Sequence, residues 1–190
     1  SVAICNANTL VRCYKDKELN NTINSFDIRC TDGFPVAKAS KILYQNNQIR
    51  VDGYKLFLQT IENGLDQGTK HYFFGNNDEI TQLMIDQLIK RFPNVKITGY
   101  LCPKFMSANE LVDKYKDEIE SINTDVIWVS LGFPKQELFI NTLCNEIDTP
   151  LNFVGVGAVF EWVAGTKKKA PEWIANMGFE WLLRLFQDPK

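Results

Sequence analysis

The chain has 190 residues, 45% of them hydrophobic, and carries 21 basic and 23 acidic side chains for a net charge of −2. This apolar content can fill one substantial core, read as a single domain over 1–190, and the balanced charge leaves no global field to attract nucleic acid. The five cysteines (Cys5, Cys13, Cys30, Cys102, Cys144) have no CxxC spacing and stand beside a single histidine, His71; this argues against a zinc site or a disulfide framework and for reduced cytosolic thiols.

In chain order, the sequence opens at Ser1 without Met, already in ordered-looking sequence, and stops at Lys190 just after a helix-like stretch, so segments are expected to be missing at both ends. Over the first seventy residues the pattern is irregular. Asn8 to Lys15 and Lys38 to Tyr44 read as helices and Phe26 to Arg29 as a strand before Thr31-Asp32-Gly33, together an N-terminal subdomain packed on a sheet formed by the rest of the chain. From His71 a regular alternation begins: His71 to Phe74, Val95 to Thr98, Val126 to Val129 and Leu151 to Val154 are short apolar runs. Between them Ile80 to Phe92, Ala108 to Ile122 and Lys135 to Glu146 recur at helical spacing. Strands alternating with helices predict an α/β, Rossmann-like parallel sheet flanked by helices. Ligands of such sheets bind at the carboxyl ends of strands, so Gly75 to Asn77, Gly99 to Cys102, Ser130 to Gln136 and Gly155 to Gly157 are expected to line one crevice. After Pro171 a C-terminal helix carries two apolar stripes, one of Ile174, Met177, Trp181, Leu182 and Leu185, the other of Phe179, Leu183 and Phe186. A helix apolar on two faces must bury both, against the domain, a second subunit or a lipid surface beside Lys167-Lys168-Lys169. No run reaches the roughly eighteen apolar residues of a spanning helix, and no signal peptide opens the chain.

Taken singly, the candidate functional residues have plain structural readings. Asp32-Gly33 is a turn signal, Arg50 a surface cation paired with Asp52, and Gly132-Phe133-Pro134-Lys135-Gln136-Glu137 a loop with a good helix start, Pro134 falling near the first helical position. That start also places free backbone N–H groups and the helix dipole where a phosphate would bind. Gly155-Val156-Gly157 has part of a dinucleotide fingerprint, but Phe160 stands where the third glycine belongs, so a Rossmann-like NAD(P) oxidoreductase is the weaker alternative. No Asp-x-Asp occurs anywhere in the chain, so the usual carboxylate pair for a divalent metal on a nucleotide sugar is missing.

Read together, the Gly132 to Glu137 segment, Gly155-Val156-Gly157-Ala158-Val159-Phe160-Glu161, Ala170-Pro171-Glu172-Trp173 and Gly178-Phe179-Glu180-Trp181-Leu182-Leu183-Arg184-Leu185 resemble the WecG/TagA/CpsF family of bacterial glycosyltransferases (glycosyltransferase family 26). The resemblance runs from Asn6 to Lys190. It implies a GT-E-type Rossmann-like fold and an inverting, metal-independent transfer of an N-acetylmannosamine-type or related hexose. The donor it implies is a UDP-sugar and the acceptor an undecaprenyl-pyrophosphate-linked sugar of surface polysaccharide or teichoic-acid synthesis. It assigns Asp32 as catalytic base, Arg50 as a catalytic cation near the leaving group, and Gln136 as a donor-sugar or catalytic contact. Asn6, Gly75, Asn76, Gly132, Glu137, Gly155 and Gly157 become nucleotide-sugar contacts, with no metal and no cofactor besides the donor. The partners implied are the UDP-sugar, the lipid-pyrophosphate acceptor, the cytoplasmic face of the cell membrane, bound peripherally, and a second copy of the chain; nucleic acid is not among them. Two positions depart from the pattern: Ile4 stands where many members carry a hydroxyl, and Glu161 where an aspartate is common. A non-catalytic nucleotide-sugar-binding module is the other alternative, favoured if Asp32 is buried in a turn away from the crevice.

Overall fold

The computed structural model describes residues 1–45 and 49–169. The C-terminal stripes expected around Trp181 and Leu183 lie outside the described residues. Six strands, β1 (Val2–Cys5), β2 (Ile28–Thr31), β3 (Lys70–Gly75), β4 (Lys96–Leu101), β5 (Val126–Ser130) and β6 (Asn152–Gly155), form one sheet in the order β2-β1-β6-β5-β3-β4. Every pairing is parallel, so all carboxyl ends meet at one edge.

The side-chain alternation of each strand divides the core in two. Ala3, Cys5, Tyr72, Phe74, Ile127, Val129 and Phe153 face one side, where α1 (Ala7–Lys15), α2 (Lys17–Asn24), α6 (Ala108–Glu120) and α7 (Lys135–Glu146) pack. Phe73, Val126, Trp128 and Val154 face the other, under α4 (Gly53–Gly64), α5 (Asp78–Arg91) and α8 (Val159–Ala164). Connections leading toward β2 run over the first face and those leading toward β4 over the second, as right-handed crossovers require. The loops leaving β1 and β6 therefore diverge to opposite faces and open a crevice between them. Phe57 of α4 meets Trp128 edge-on at 4.7 Å, and Phe160 of α8 meets Phe73 at 5.6 Å; pairs of this kind add about 0.5–1.5 kcal/mol each beyond burial. They fix α4 and α8 under the crevice.

Three expectations change. The first seventy residues do not pack on the sheet as a separate unit: β1 and β2 are strands of the same sheet, and β1 was missed because it is short and fully buries only Ala3 and Cys5. The strand expected at Phe26 to Arg29 starts two residues later, since Phe26 is buried in the core beneath it. The segment Gly99 to Cys102 does not line the crevice, because β4 continues through Leu101 and occupies the sheet edge farthest from β2. The only histidine, His71, is a core residue whose Nδ1 accepts from Trp128 Nε1 at 3.2 Å; burial lowers its pKa to about 4, so it stays neutral at pH 7.

One helix, α3 (Phe34–Tyr44), buries only Val36. Phe34, Ile42, Leu43, Tyr44 and Ile49, in and just after it, stand 42–81% exposed.

Candidate active site

Asp32 leaves the end of β2, and its N–H donates to Cys5 O at 2.7 Å, which ties it to the end of β1. The chain returns to the same place at Ile49 to Val51: Thr31 Oγ1 donates to Ile49 O at 3.1 Å and Val51 N–H to Thr31 O at 2.8 Å. That return sets Arg50 between two carboxylates, with Nε 3.6 Å from Asp32 Oδ1 and Nη2 3.6 Å from Asp52 Oδ2. Arg50 is therefore no free surface cation: its side chain is 17% exposed, and those of Asp32 and Asp52 are 19% and 14%.

Asp52 divides its two oxygens between tasks. Oδ1 caps α4, accepting from the N–H groups of Tyr54 at 3.0 Å and Lys55 at 3.3 Å. Oδ2 pairs with Arg50 and, very closely, with Lys169. Burial pushes the Asp52 carboxyl up, but the hydrogen bond and charge of Lys169, the Lys55 amide and Arg50 outweigh it and hold the group below the usual carboxylate range. Lys169 Nζ also lies 4.8 Å from the Tyr54 ring centroid and 5.9 Å from that of Trp162, and these two rings meet edge-on at 6.5 Å. Asp32, Arg50, Asp52 and Lys169 form a line of alternating charge at the carboxyl edge.

The second half of the crevice is built by β3, β5, β6 and α7. Gly75 ends β3 at φ +112°, and a Cβ there would fall 2.3 Å from Ser130 O, so only glycine lets the two strands end side by side. Asn76 follows at φ 59°. Its N–H donates to Ser130 O at 2.9 Å and its Nδ2 reaches Ser130 Oγ at 3.5 Å. Ser130 Oγ donates to Gly157 O at 2.7 Å, while Gly157 N–H donates to Gln136 Oε1 at 3.0 Å. A Cβ on Gly155 would stand 3.0 Å from Gln136 Nε2, so glycine at 155 makes room for that amide. Gly132, at the turn out of β5, accepts the Gln136 N–H at 3.0 Å. Asn6 commits its Oδ1 to capping α1 through Thr9 N–H at 3.2 Å.

Of the residues singled out in the sequence, Gly75, Asn76, Gly132, Gln136, Glu137, Gly155 and Gly157 come together in this half, and Asp32 with Arg50 in the other. With β1 between β2 and β6 and strands about 4.8 Å apart, the two halves are roughly 10 Å apart. The side chains of Gln136 and Glu137, implied as donor contacts, are turned inward: they are 5% and 2% exposed, and Glu137 Oε1 accepts from Gln136 Nε2 at 2.8 Å. Burial lifts the Glu137 pKa to about 7, against the opposing hydrogen bonds from Gln136 and its own helix. A raised carboxyl favours folding in its neutral form, so its contribution is complete below the ordinary value near 4.5 and is lost as pH rises through 7. The sequence reading missed Ser130 as a bridge, the Tyr54–Trp162 pair, and the joining of Lys169 to Asp52. The one local signal among these was Asp52 before Gly53, an N-cap pattern.

A six-stranded parallel α/β domain with acidic, basic and glycine-turn groups gathered at its carboxyl edge defines a Rossmann-like protein with a ligand crevice there. The chain belongs to the glycosyl transferase WecG/TagA/CpsF family, which it matches over residues 1–190. It is 31% identical over 171 residues to an N-acetylglucosaminyldiphosphoundecaprenol N-acetyl-beta-D-mannosaminyltransferase of Staphylococcus aureus (strain MW2), covering 88% of this chain and 64% of the relative. It is also similar to proteins with the same name from Bacillus subtilis (strain 168), 26% identical over 175 residues, and Bacillus spizizenii, 28% over 167. These alignments cover 92% and 88% of this chain, and 66% and 63% of the two relatives. The chain thus spans a little under two thirds of the length of these relatives.

Proposed function

We propose that this chain is the catalytic part of an inverting glycosyltransferase that moves an N-acetylmannosamine-type hexose from a UDP-sugar to a diphosphoundecaprenol-linked sugar. The observation that carries the reading is Asp32 held beside Arg50 at the carboxyl edge of a family-member fold, about two strand spacings from a glycine turn suited to a diphosphate. The names of the relatives support the acceptor class and the sugar. In this reading the acceptor hydroxyl attacks the anomeric carbon from the side opposite UDP, Asp32 takes the hydroxyl proton, and the bond from the anomeric carbon to the diphosphate oxygen breaks. Arg50 faces the charge that develops on UDP, and the Gly155–Gly157 turn, whose Val156 and Gly157 N–H groups are spent on Val129 O and Gln136 Oε1, lets the donor approach its backbone closely because the glycines carry no Cβ. UDP and UDP-sugars are expected to bind with NAD(P) failing to compete; calorimetric titration checks this, and tight NAD(P) binding without UDP binding would overturn the reading.

We further propose that transfer needs no divalent metal. The chain has no Asp-x-Asp, and among the described residues no group of three or more His, Cys, Asp or Glu side chains is placed to hold an ion. Initial rates with and without EDTA should agree within about twofold, while strict dependence on added Mg²⁺ or Mn²⁺ would contradict this. The scale for comparison is the several kcal/mol that a Lewis-acid metal supplies where one is used.

Among the described residues no helix is long and apolar enough to cross a membrane, yet the proposed acceptor is lipid-linked. The surface matched to it is α3. This helix begins next to Asp32-Gly33 and exposes Ile42, Leu43 and Tyr44, with Ile49 exposed in the segment after it, and it carries Lys38 and Lys41 and no acidic residue. Apolar side chains flanked by cations fit an anionic lipid surface. A peripheral seat on the cytoplasmic face of the cell membrane would bring the acceptor diphosphate to Asp32. Ile42→Ser with Leu43→Ser is expected to weaken sedimentation with phosphatidylglycerol vesicles by about tenfold, to raise the acceptor KM, and to leave Tm within about 2 °C. A large fall in Tm, or a change of oligomeric state with vesicle binding unchanged, would assign the surface to the core or to a second copy.

A further inference from the structure

Gln136 spends both ends of its amide inside the protein. Gly157 N–H can only donate, so the amide oxygen must face it, and Nε2 is thereby turned toward Glu137. Glu137 Oε1 receives that N–H at 2.8 Å. Its other oxygen, Oε2, is buried with no hydrogen-bond partner among the described residues. Gly157 is held from its opposite side by Ser130 Oγ, which in turn is reached by Asn76. The glycine turn after β6 therefore hangs between two supports, and one of them ends on a carboxyl whose second oxygen has no hydrogen-bond partner among the described residues.

We infer that Glu137 is a positioning residue: its carboxyl locks the Gln136 amide in the one orientation that receives Gly157 N–H, and so sets the shape of the turn facing the donor. The inference about the turn stands on hydrogen-bond geometry; its consequence for the donor rests on the glycosyltransferase reading above. The titratable groups that face this carboxyl across the packing are thiols, Cys5 on β1 and Cys13 on α1, both raised chiefly by burial, Cys5 to about 12 with the Glu137 charge next, and Cys13 with the Asp16 charge ahead of that of Glu137. Neither carries charge near neutrality, so the carboxyl is the group here that changes state. With its pKa at about 7, the bond to Gln136 becomes charge-assisted as pH rises through neutrality and reverts to a neutral one below it.

The test compares wild type, Glu137→Gln and Glu137→Ala by ¹H–¹⁵N NMR of the Gly157 amide and the Gln136 side-chain amide from pH 5.5 to 8.5, with UDP titrated at each end of the range. In the wild type both resonances should move with a midpoint near pH 7. Glu137→Gln retains an acceptor without a titrating proton, so both resonances should stay flat with pH and UDP affinity should stay near wild type. Glu137→Ala should displace the Gly157 resonance at every pH and weaken UDP about tenfold. A Gly157 resonance in Glu137→Ala that overlays the wild type across the range would overturn the inference, as would a wild-type titration that persists in Glu137→Gln. If Glu137→Ala does not fold, the loss or persistence of the titration in Glu137→Gln still decides. The NMR readout needs no substrate: if it behaves as expected while UDP fails to bind the wild type, the positioning role holds and the donor-site reading fails.

Discussion

Asp32→Asn should lower kcat by about 10²–10⁴-fold while the Kd for UDP stays within about twofold of wild type. The amide keeps the size of the carboxylate and can hold its place at the end of β2, where the backbone N–H bond to Cys5 is untouched. What it loses is the capacity to take the proton of the attacking hydroxyl. The uncharged side chain also releases Arg50 from one of its two carboxylates, which leaves the guanidinium freer for phosphate, so any change in UDP affinity should be toward tighter binding. Single-turnover rates with calorimetric UDP binding check both halves. Turnover within a few-fold of wild type would remove Asp32 from the role of base, and loss of UDP binding in step with turnover would make it a binding residue instead.

Arg50→Ala should act on the other side of the reaction. Removal of a cation aimed at developing charge costs about 10²–10³-fold in rate, and here the loss should appear in kcat/KM for the donor together with weaker UDP binding. The change also leaves Asp32 and Asp52 facing each other without the guanidinium that now separates them. Asp52 retains Lys169 and the α4 amides, so the fold should persist with Tm lowered by only a few degrees. Arg50→Lys should recover only a part of the rate, since an ammonium cannot offer two parallel N–H groups. Wild-type donor kinetics in Arg50→Ala would place the diphosphate elsewhere in the crevice.

How far the sequence could be read depended on the range of the forces involved. The strands β3, β5 and β6 announced themselves as apolar runs because both faces of the sheet are buried there, and every residue of β5 is buried. The strand β1 fully buries only alternate residues, Ala3 and Cys5, and α4 lay hidden in the irregular first third, although Phe57, Leu58 and Ile61 after the Asp52 cap hold helical spacing. The two halves of the site differ in the same way. Gln136 and Gly157 are 21 residues apart and belong to one strand-helix-strand unit, so the supersecondary pattern brought them together. Asp52 and Lys169 are 117 residues apart, and no local pattern can pair them. The inward turn of Glu137 was equally hidden, because a charged residue in the first turn of a helix ordinarily stays in water, and it is the packing of α7 among α6, α2 and β6 that makes it a buried carboxyl.

The most direct measurement is transfer itself. The purified chain is incubated with a UDP-N-acetylmannosamine-type donor labelled in the sugar and a short-chain lipid diphosphate carrying N-acetylglucosamine. The lipid product and the released UDP are then quantified, and the anomeric configuration of the new bond is determined by NMR. The account predicts one labelled disaccharide lipid per UDP released, with inverted configuration and dependence on Asp32. Donor binding with no lipid product, or UDP release with the sugar passed only to water, would contradict it and leave a nucleotide-sugar-binding module in place of a transferase.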